Sequence, residues 1–304
     1  PPPPHDVLFG KLPKIVFPQA EPTTFTYKLE TPTGGLPSKL PNQFRVFFMP
    51  IKKASLLAYD AASAVATRLD FIQESKKLSE TEYRWDANDP IPSSLTINII
   101  TGAFVLDKRW QSDQSYTTPT IYYTDSQALD RMYNLLSRVE LLPEDIKEGK
   151  STIQYLKADK DQIVSAVSLS QAHFVQVNLY RSPVDGVEVV NPSSKQGLIT
   201  GILALQREDA RQFINLNYNY FPVDKERSAV YPLIGVAEAW QRLQKGEGFI
   251  AGVKQNTANV TIREISIQYY DPDTAQQFMQ PVYVFKGDPD FVGYVRAVSD
   301  AWTE

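Results

Sequence analysis

The chain has 304 residues, 42% of them hydrophobic and 12% aromatic, and a net charge of −4. A chain of this size and composition can bury one large core or two to three small ones, so it is a folded protein. Its Lys and Arg residues are scattered, which argues against nucleic acid as a partner because phosphate binding needs a concentrated basic stripe.

The sequence opens with four prolines, which favour an extended polyproline II rod without internal hydrogen bonds. No apolar run approaches the roughly 20 residues that cross a bilayer, so we expect a membrane anchor to lie outside this sequence. Residues 1–22 are therefore predicted to be a proline-rich juxtamembrane spacer, with an ordinary ragged terminus as the alternative. This predicts an extracytoplasmic, cell-envelope protein that meets the membrane only through that N-terminal transmembrane anchor.

The next residues, 23–118, are predicted to form a β-β-α-β-β-β module. Alternation predicts strands around Phe25–Leu29 and Phe44–Phe48, joined into an antiparallel ribbon. Residues 53–77 have helical spacing over five to six turns. The apolar face of this helix comprises Leu57, Ala61, Ala64, Val65, Arg68, Leu69 and Ile72. Three strands then follow, in TEYRWDAND, SLTINIITG and AFVLDKRW.

A second helix is predicted in DSQALDRMYNLLSRVELLPEDI, beginning at an Asp or Ser cap and ending before Pro143. Its apolar face comprises Leu129, Met132, Tyr133, Leu136 and Val139. Strands are predicted after it in IVSAVSLSQAHFVQVNLYR, VEVV, GLITGILALQ and INLNYNYFPV, some with one wet face.

A third, short helix is predicted with Ala237, Trp240 and Leu243 inward and Gly246 at its C-terminal end. Strands follow in VTIREISIQYYDP, QPVYVFKGD and FVGYVRAVSDAW. Residues 119–304 thus form a second region, divisible into submodules 119–222 and 223–304. We predict an α+β fold in which antiparallel sheets are each covered by an amphipathic helix, in two to three modules.

Two stretches resemble known families. LLAYDAASAVATRL with EYRWD and LTINIITGAFVLDKRW resembles the PepSY domain. The run YPLIGVAEAWQRLQKGEGFI with VTIREISIQYYDP, MQPVYVFKGD and FVGYVRAVS resembles the YycH/YycI group of extracytoplasmic regulators and is similar to envelope proteins of candidate-phylum bacteria. These resemblances imply PepSY- and YycH-like modules and an envelope protein partner, a sensor kinase or a peptidase. Neither family supplies a catalytic residue.

Composition excludes several kinds of chemistry. The chain has no cysteine and two histidines, so thiolate nucleophiles, disulfides, iron–sulfur clusters and multi-histidine metal sites are ruled out. No G-x-S-x-G nucleophile elbow occurs, and His173 shares a predicted strand face with Val175 and Val177, which indicates a packing residue. We therefore predict no cofactor, no metal site and no catalytic residue.

Paired carboxylates keep a hydrolase as an alternative, because a glycosidase needs only two acids flanking a bond. The candidate pairs are Asp86 with Asp89, Glu208 with Asp209, and Asp271 with Asp273. Each lies beside Pro, Asn or Arg in a predicted turn, where Asp is common for its backbone hydrogen bonds. The DPDT and GDPD segments offer oxygens for calcium but lack a complete twelve-residue loop.

Paired tyrosines are the functional signal that we single out. The candidate partner-binding residues are Tyr122, Tyr123, Tyr218, Tyr220, Tyr269 and Tyr270. Neighbours in a strand point to opposite faces, so one ring of each adjacent pair is expected to face water, unless sheet edges cover it. Exposed tyrosine suits protein recognition. We predict a non-enzymatic protein-binding or regulatory module, with a structural or adhesive surface component as the alternative.

Overall fold

The computed structural model describes residues 6–19, 24–51, 57–88, 91–118, 122–205 and 212–304. Contacts divide the chain into two compact units. Unit 1 comprises residues 1–51, 183–195 and 221–304, and unit 2 comprises residues 52–182 and 196–220. This division differs from the contiguous regions that the sequence predicted, because strands far apart in the chain pair within each unit.

The described residues form seventeen strands and four α-helices. The first half contains β1 (Thr26–Leu29), β2 (Gln43–Phe48), α1 (Leu57–Arg68), β3 (Lys76–Lys77), β4 (Glu82–Ala87), β5 (Ser93–Asn98), β6 (Phe104–Lys108), α2 (Asp125–Arg138) and α3 (Glu144–Lys147). The second half contains β7 (Ser151–Asp159), β8 (Gln162–Ser165), β9 (Phe174–Leu179), β10 (Val189–Val190), β11 (Ile199–Ala204), β12 (Phe213–Tyr218), β13 (Asp224–Pro232), α4 (Val236–Gln244), β14 (Phe249–Gly252), β15 (Asn259–Tyr270), β16 (Phe278–Asp288) and β17 (Phe291–Arg296).

The predicted α+β class is confirmed, since the fold is mostly antiparallel sheet with few helices. Unit 2 contains a nine-stranded, wholly antiparallel sheet in the order β3-β4-β5-β6-β12-β11-β9-β7-β8. The predicted β-β-α-β-β-β module is divided between the units: β1 and β2 belong to unit 1, whereas α1 and β3–β6 belong to unit 2.

Two helices share one face of the unit 2 sheet. α1 lies against β5, and α2 lies against β7 and β9. Their buried residues, among them Ala66 and Met132, join the inward side chains of the strands in one apolar core. α2 approaches the sheet closely at Gly201, where a Cβ would stand 2.8 Å from the sulfur of Met132 and would displace the end of that side chain. The prediction of one helix for each sheet is therefore wrong for this unit.

α1 is shorter than predicted, and only part of its predicted face is buried. The described helix has 12 residues, and residues 53–56 of the predicted helix lie outside the described part of the chain. It ends at Arg68, followed within two residues by Asp70 in the left-handed region at φ 69°. Of the predicted face, Leu69 is buried and Val65 packs against the core, whereas Leu57 and Ile72 are exposed. Ala62 and Ala66, outside that face, are buried as well.

α2 follows the predicted pattern most closely, with Met132 and Leu136 buried. Its N-cap is Thr124, one residue before the predicted Asp or Ser, because Thr124 and Gln127 form a reciprocal capping box. The Thr124 hydroxyl accepts from the Gln127 amide at 3.3 Å, and the Gln127 side chain accepts from the Thr124 amide at 2.9 Å.

Unit 1 contains an eight-stranded sheet with the main order β1-β15-β16-β17-β14. The predicted β1–β2 ribbon is wrong. β1 and β10 pair in parallel with opposite ends of the long strand β15, while β2 pairs with β13 and β16. A twelve-residue strand offers room along one side for two short partners, which local alternation cannot reveal.

α4 covers one face of the unit 1 sheet and lies against β17. Ala239 and Leu243 are buried and Trp240 packs beside them, whereas Ala237, predicted to point inward, is exposed. Gly246 follows the helix in the left-handed region at φ 78°, as expected for a glycine at a helix C-terminus. Within the described ranges, no helix is both long enough and apolar enough to span a membrane.

Candidate functional site

The structure does not bring the six predicted tyrosines to one surface. Tyr122 is 45% exposed, but its neighbour Tyr123 is buried. Tyr269 and Tyr270 are both buried, so the expectation that one ring of each adjacent pair faces water is wrong at this pair. The reason is that both sides of β15 are covered: Tyr269 packs on Phe47 of β2, and Tyr270 packs on Tyr294 of β17.

Tyr218 and Tyr220 belong to a polar cluster in unit 2. Tyr218 is buried and stacks on Phe104 with ring centres 5.1 Å apart. The guanidinium of Arg181 lies 4.7 Å from the ring centre of Tyr220 and pairs with Asp145 of α3. Burial raises the pKa of Tyr220 to about 12, so its hydroxyl is neutral at physiological pH. The cluster links α3 to the unit 2 sheet, which is a structural role for Tyr218 and Tyr220.

His173 acts as the sequence predicted, as a packing residue, although it lies just before β9 and not within it. Its Nδ1 accepts a hydrogen bond of 2.9 Å from the amide of Ala158. Burial, and secondarily the charge of Lys157, lowers the pKa of His173. The neutral ring is therefore the form that the fold requires.

The candidate carboxylate pairs are only partly described, because Asp89, Glu208 and Asp209 lie outside the described residues. Asp271 is buried while Asp273 is exposed, so the two face different surroundings. No group of three or more His, Asp or Glu side chains that could hold a metal ion occurs among the residues that the structure describes.

A polar groove of about 340 Å³ crosses strands β3 to β6 of unit 2. Its charged lining residues are Lys76, Arg84, Asp86, Asp107 and Arg109. Hydrogen bonds from Arg84 at 2.7 Å and Lys76 at 3.0 Å lower the pKa of Asp86. A general acid in a glycosidase needs the opposite shift, so Asp86 does not suit that role.

The two edges of the unit 2 sheet differ in charge. One edge strand, β3, consists of two exposed lysines, a common protection against pairing with another strand. The other, β8, has the sequence QIVS with no charge. The loop after it exposes Val167 at 88% and Leu169 at 44%. We call β8 with Val167 and Leu169 the β8 edge.

Residues 6–17, which we call the N-terminal segment, belong to unit 1 and pack against the rest of it. This differs from the predicted spacer, of which only residues 1–5 and 20–22 lie outside the described chain. Leu12 is fully buried and forms a parallel bridge with Thr303, and Ile15 enters a cluster with Tyr270 and Tyr294. The apolar residues among VLFGKLPKIVF explain the packing, because a free spacer would leave them in water.

Sequence reasoning missed both the β8 edge and the N-terminal segment. An uncharged edge strand followed by apolar loop residues is visible only once the strand order is known. For the N-terminal segment a signal did exist: Val7-Leu8-Phe9 and Ile15-Val16-Phe17 are consecutive apolar triplets, which are typical of strands covered on both sides.

No protein-family model matches the chain, and no curated protein matches it. Solved structures do match, among them an uncharacterized protein from Eubacterium rectale ATCC 33656. It is 12% identical in sequence, the match covers 86% of this chain and 84% of that one, and the TM-score is 0.44.

Proposed function

We propose that the protein is an extracytoplasmic, non-enzymatic protein-binding or regulatory domain, held at the membrane by an anchor outside this sequence. In this proposal its sheets are PepSY-like and YycH/YycI-like modules, and its partner is an envelope protein such as a sensor kinase or a peptidase. One observation carries the protein-binding part: the β8 edge offers an uncharged strand that another chain can extend.

The chemistry of the β8 edge suits strand addition. An edge strand presents unpaired N–H and C=O groups, so a partner strand can bind through main-chain hydrogen bonds and gain specificity from neighbouring side chains. Ile163 and Val164 lie within β8, and the exposed side chains of Val167 and Leu169 supply apolar surface directly beside it. At the other edge of the sheet, the charged lysines of β3 would oppose the addition of a partner strand.

A photo-crosslinking amino acid at Val167, introduced into the full chain in native envelope, tests the proposal. We expect a discrete adduct, which Val164→Lys removes because it places a charge on the edge strand. Val105→Lys is the matched control: it adds the same charge to an exposed valine of the same sheet, but on the internal strand β6. An adduct that survives Val164→Lys, or no adduct at all, contradicts the proposal.

The identity of the adduct separates the alternatives. A sensor kinase or peptidase supports a regulatory role, whereas a major surface polymer protein favours the structural or adhesive role. Of the hydrolase alternative, the described residues show only that Asp86, paired with Lys76 and Arg84, does not suit the general acid.

A further inference from the structure

The polar groove of unit 2 lies on the face of its sheet opposite to α1 and α2. Trp85 and Leu95 point to the helices, since both belong to the core that contains the buried residues of α1 and α2. Successive residues of a strand point to opposite faces. Arg84 and Asp86 on β4 and Ser94 on β5 therefore point away from the helices, where they line the groove.

The strand register places polar side chains of the groove in one row. Asp86 pairs with Ser94 across β4 and β5, and Ser94 pairs with Asp107 across β5 and β6. Residues that pair directly lie on one face, with their Cβ atoms about 5 Å apart. Arg109 follows two residues after Asp107, and its amide extends the ladder with a hydrogen bond of 2.8 Å to the Pro92 carbonyl. The row thus ends at Arg109, which lines the same groove.

Neighbouring side chains hold the two carboxylates of the groove in place. Asp86 accepts from Arg84 at 2.7 Å and from Lys76 at 3.0 Å. Asp107 accepts from the side chain of Asn215 at 3.3 Å. A carboxylate has about four acceptor sites, which is more than these bonds use. Both carboxylates can therefore accept from a ligand without first being ordered, which lowers the entropic cost of binding.

Other polar side chains of the groove are uncommitted. Within the described ranges, no hydrogen bond or ion pair engages the side chains of Asn88, Ser94 and Arg109. A concave surface that combines unused donors with fixed acceptors is typical of a site for a polar small molecule.

The charges of the groove favour a ligand with a single negative charge. Three cations and two carboxylates line it, an excess of one positive charge: Lys76, Arg84 and Arg109 against Asp86 and Asp107. Since Lys76 and Arg84 both bind Asp86, Arg109 is the cation of the described lining that is left for a ligand. A guanidinium binds a carboxylate through two parallel hydrogen bonds. A doubly charged phosphate would be repelled by the two carboxylates beside it.

The size and the apolar lining of the groove fit a sugar ring. Its volume of about 340 Å³ lies at the low end of small-molecule sites, which measure about 300 to 1,000 Å³. Ala87 and Pro92 offer small apolar surfaces to the C–H groups of a pyranose. The described lining contains no aromatic ring on which a nucleobase could stack.

We propose that the polar groove binds a carboxylated saccharide, a sugar ring that carries one carboxylate. The guanidinium of Arg109 binds the carboxylate, while Asp86 and Asp107 accept from the ring hydroxyls. Ser94, which lies between these two carboxylates in the row, donates to or accepts from a further hydroxyl. The groove and the β8 edge lie at opposite ends of the sheet order, so either proposal can fail alone.

Titration of the full chain with methyl glucuronide, followed by NMR of the backbone amides, tests the proposal. We expect saturable shift changes at Ser94, Asp107 and Arg109. Methyl glucoside has the same ring without the carboxylate and should bind about tenfold more weakly, because the charged hydrogen bonds are lost. Acetate has the carboxylate without the ring and should also bind more weakly.

Removing the charge of Arg109 tests its assigned role. Arg109→Gln should weaken the binding of methyl glucuronide about tenfold and leave that of methyl glucoside nearly unchanged, because only the carboxylate loses its partner. The matched control is Arg138→Gln, which removes the same charge from an exposed position in the last turn of α2, on the other side of the sheet. Unchanged amide spectra outside the groove show that both variants are folded.

A second pair of variants separates the shape of the groove from its charge. Ser94→Leu should abolish binding, because the larger side chain fills the space between Asp86 and Asp107 while every charge of the lining remains. Thr96→Leu is the matched control, since Thr96 lies two residues further along β5 on the same face but outside the lining of the groove. It should leave binding unchanged.

The opposite results overturn the proposal. A dissociation constant for methyl glucuronide weaker than about 10 mM would mean that the groove does not take this class of ligand. Acetate or inorganic phosphate binding as tightly would reduce the groove to a simple anion site, and methyl glucoside binding as tightly would exclude a role for the carboxylate. Equal weakening by Arg109→Gln and Arg138→Gln, or by Ser94→Leu and Thr96→Leu, would place the ligand elsewhere.

Discussion

The two units cover their sheets by different means. In unit 2, α1 and α2 together cover one face, and their buried residues join those of the strands in one core. In unit 1, α4 covers one face and the extended N-terminal segment packs on the other. A helix must present several turns to cover a sheet, whereas an extended segment does so with single side chains spaced along a groove. We therefore expect α1 and α2 to unfold together with the unit 2 sheet, and the N-terminal segment to detach more independently from the unit 1 sheet.

The largest effect on the free energy of unfolding is expected at the ion pair of Asp145 and Arg181, which links α3 to the unit 2 sheet. Asp145→Ala should lower the free energy of unfolding by about 4 kcal/mol, because it leaves the fully buried guanidinium of Arg181 without its carboxylate. Urea denaturation measures the change. The double variant Asp145→Leu/Arg181→Leu should regain most of the loss; equal damage in both would mean that charge is not the cause.

Removing a buried side chain from the helical cover comes next. Leu136→Ala in α2 should cost about 3 kcal/mol of unfolding free energy, since Leu136 is fully buried and the packed core cannot collapse into the space. Amide hydrogen exchange should then speed up across β7 and β9 as well as α2. Leu129→Ala, at the partly buried edge of the same helix, is the control and should cost less.

The equivalent deletion in unit 1 should be smaller and local. Leu12→Ala should cost about 2 kcal/mol, at the low end for a buried leucine, because an extended segment can shift to close the gap. Hydrogen exchange should accelerate at Lys14 and Glu304, while the β15–β16 pairs stay protected. Loss of protection across the whole unit 1 sheet would show instead that segment and sheet unfold as one.

The smallest predicted effect is on how the free energy of unfolding depends on pH. Because burial holds the pKa of His173 below its unfolded value, the unfolded chain binds the proton more readily. Stability from this residue is therefore complete above the unfolded pKa of about 6.5 and falls as the pH drops below that value towards the folded pKa. His173→Asn should flatten the dependence of the unfolding free energy on pH below about pH 6.5. An unchanged slope would assign that dependence to other groups.

Elements with a strong local signal were predictable. The i, i+3, i+4 spacing of α2 and the alternation of β5 and β12 appear in the structure at the expected places. The exposed side of α1 was not predictable, because alanine carries little hydrophobic signal and either side of this helix could have faced the sheet. For the candidate sites, the paired tyrosines predicted where aromatic rings make contacts, but their pattern did not show which of the rings are buried.

By itself, the sequence determined the class of the fold, three of its helices and most strands of the second half, because periodicity and turn residues act over a few positions. It also excluded cysteine chemistry outright. Only the tertiary structure decided that β1 and β2 pair with different strands, and that Tyr269 and Tyr270 are both buried. It also decided that residues 6–17 lie in a groove. These outcomes depend on which distant segments of the chain pair. The free energy of that pairing comes from long-range contacts, which a local sequence pattern does not specify.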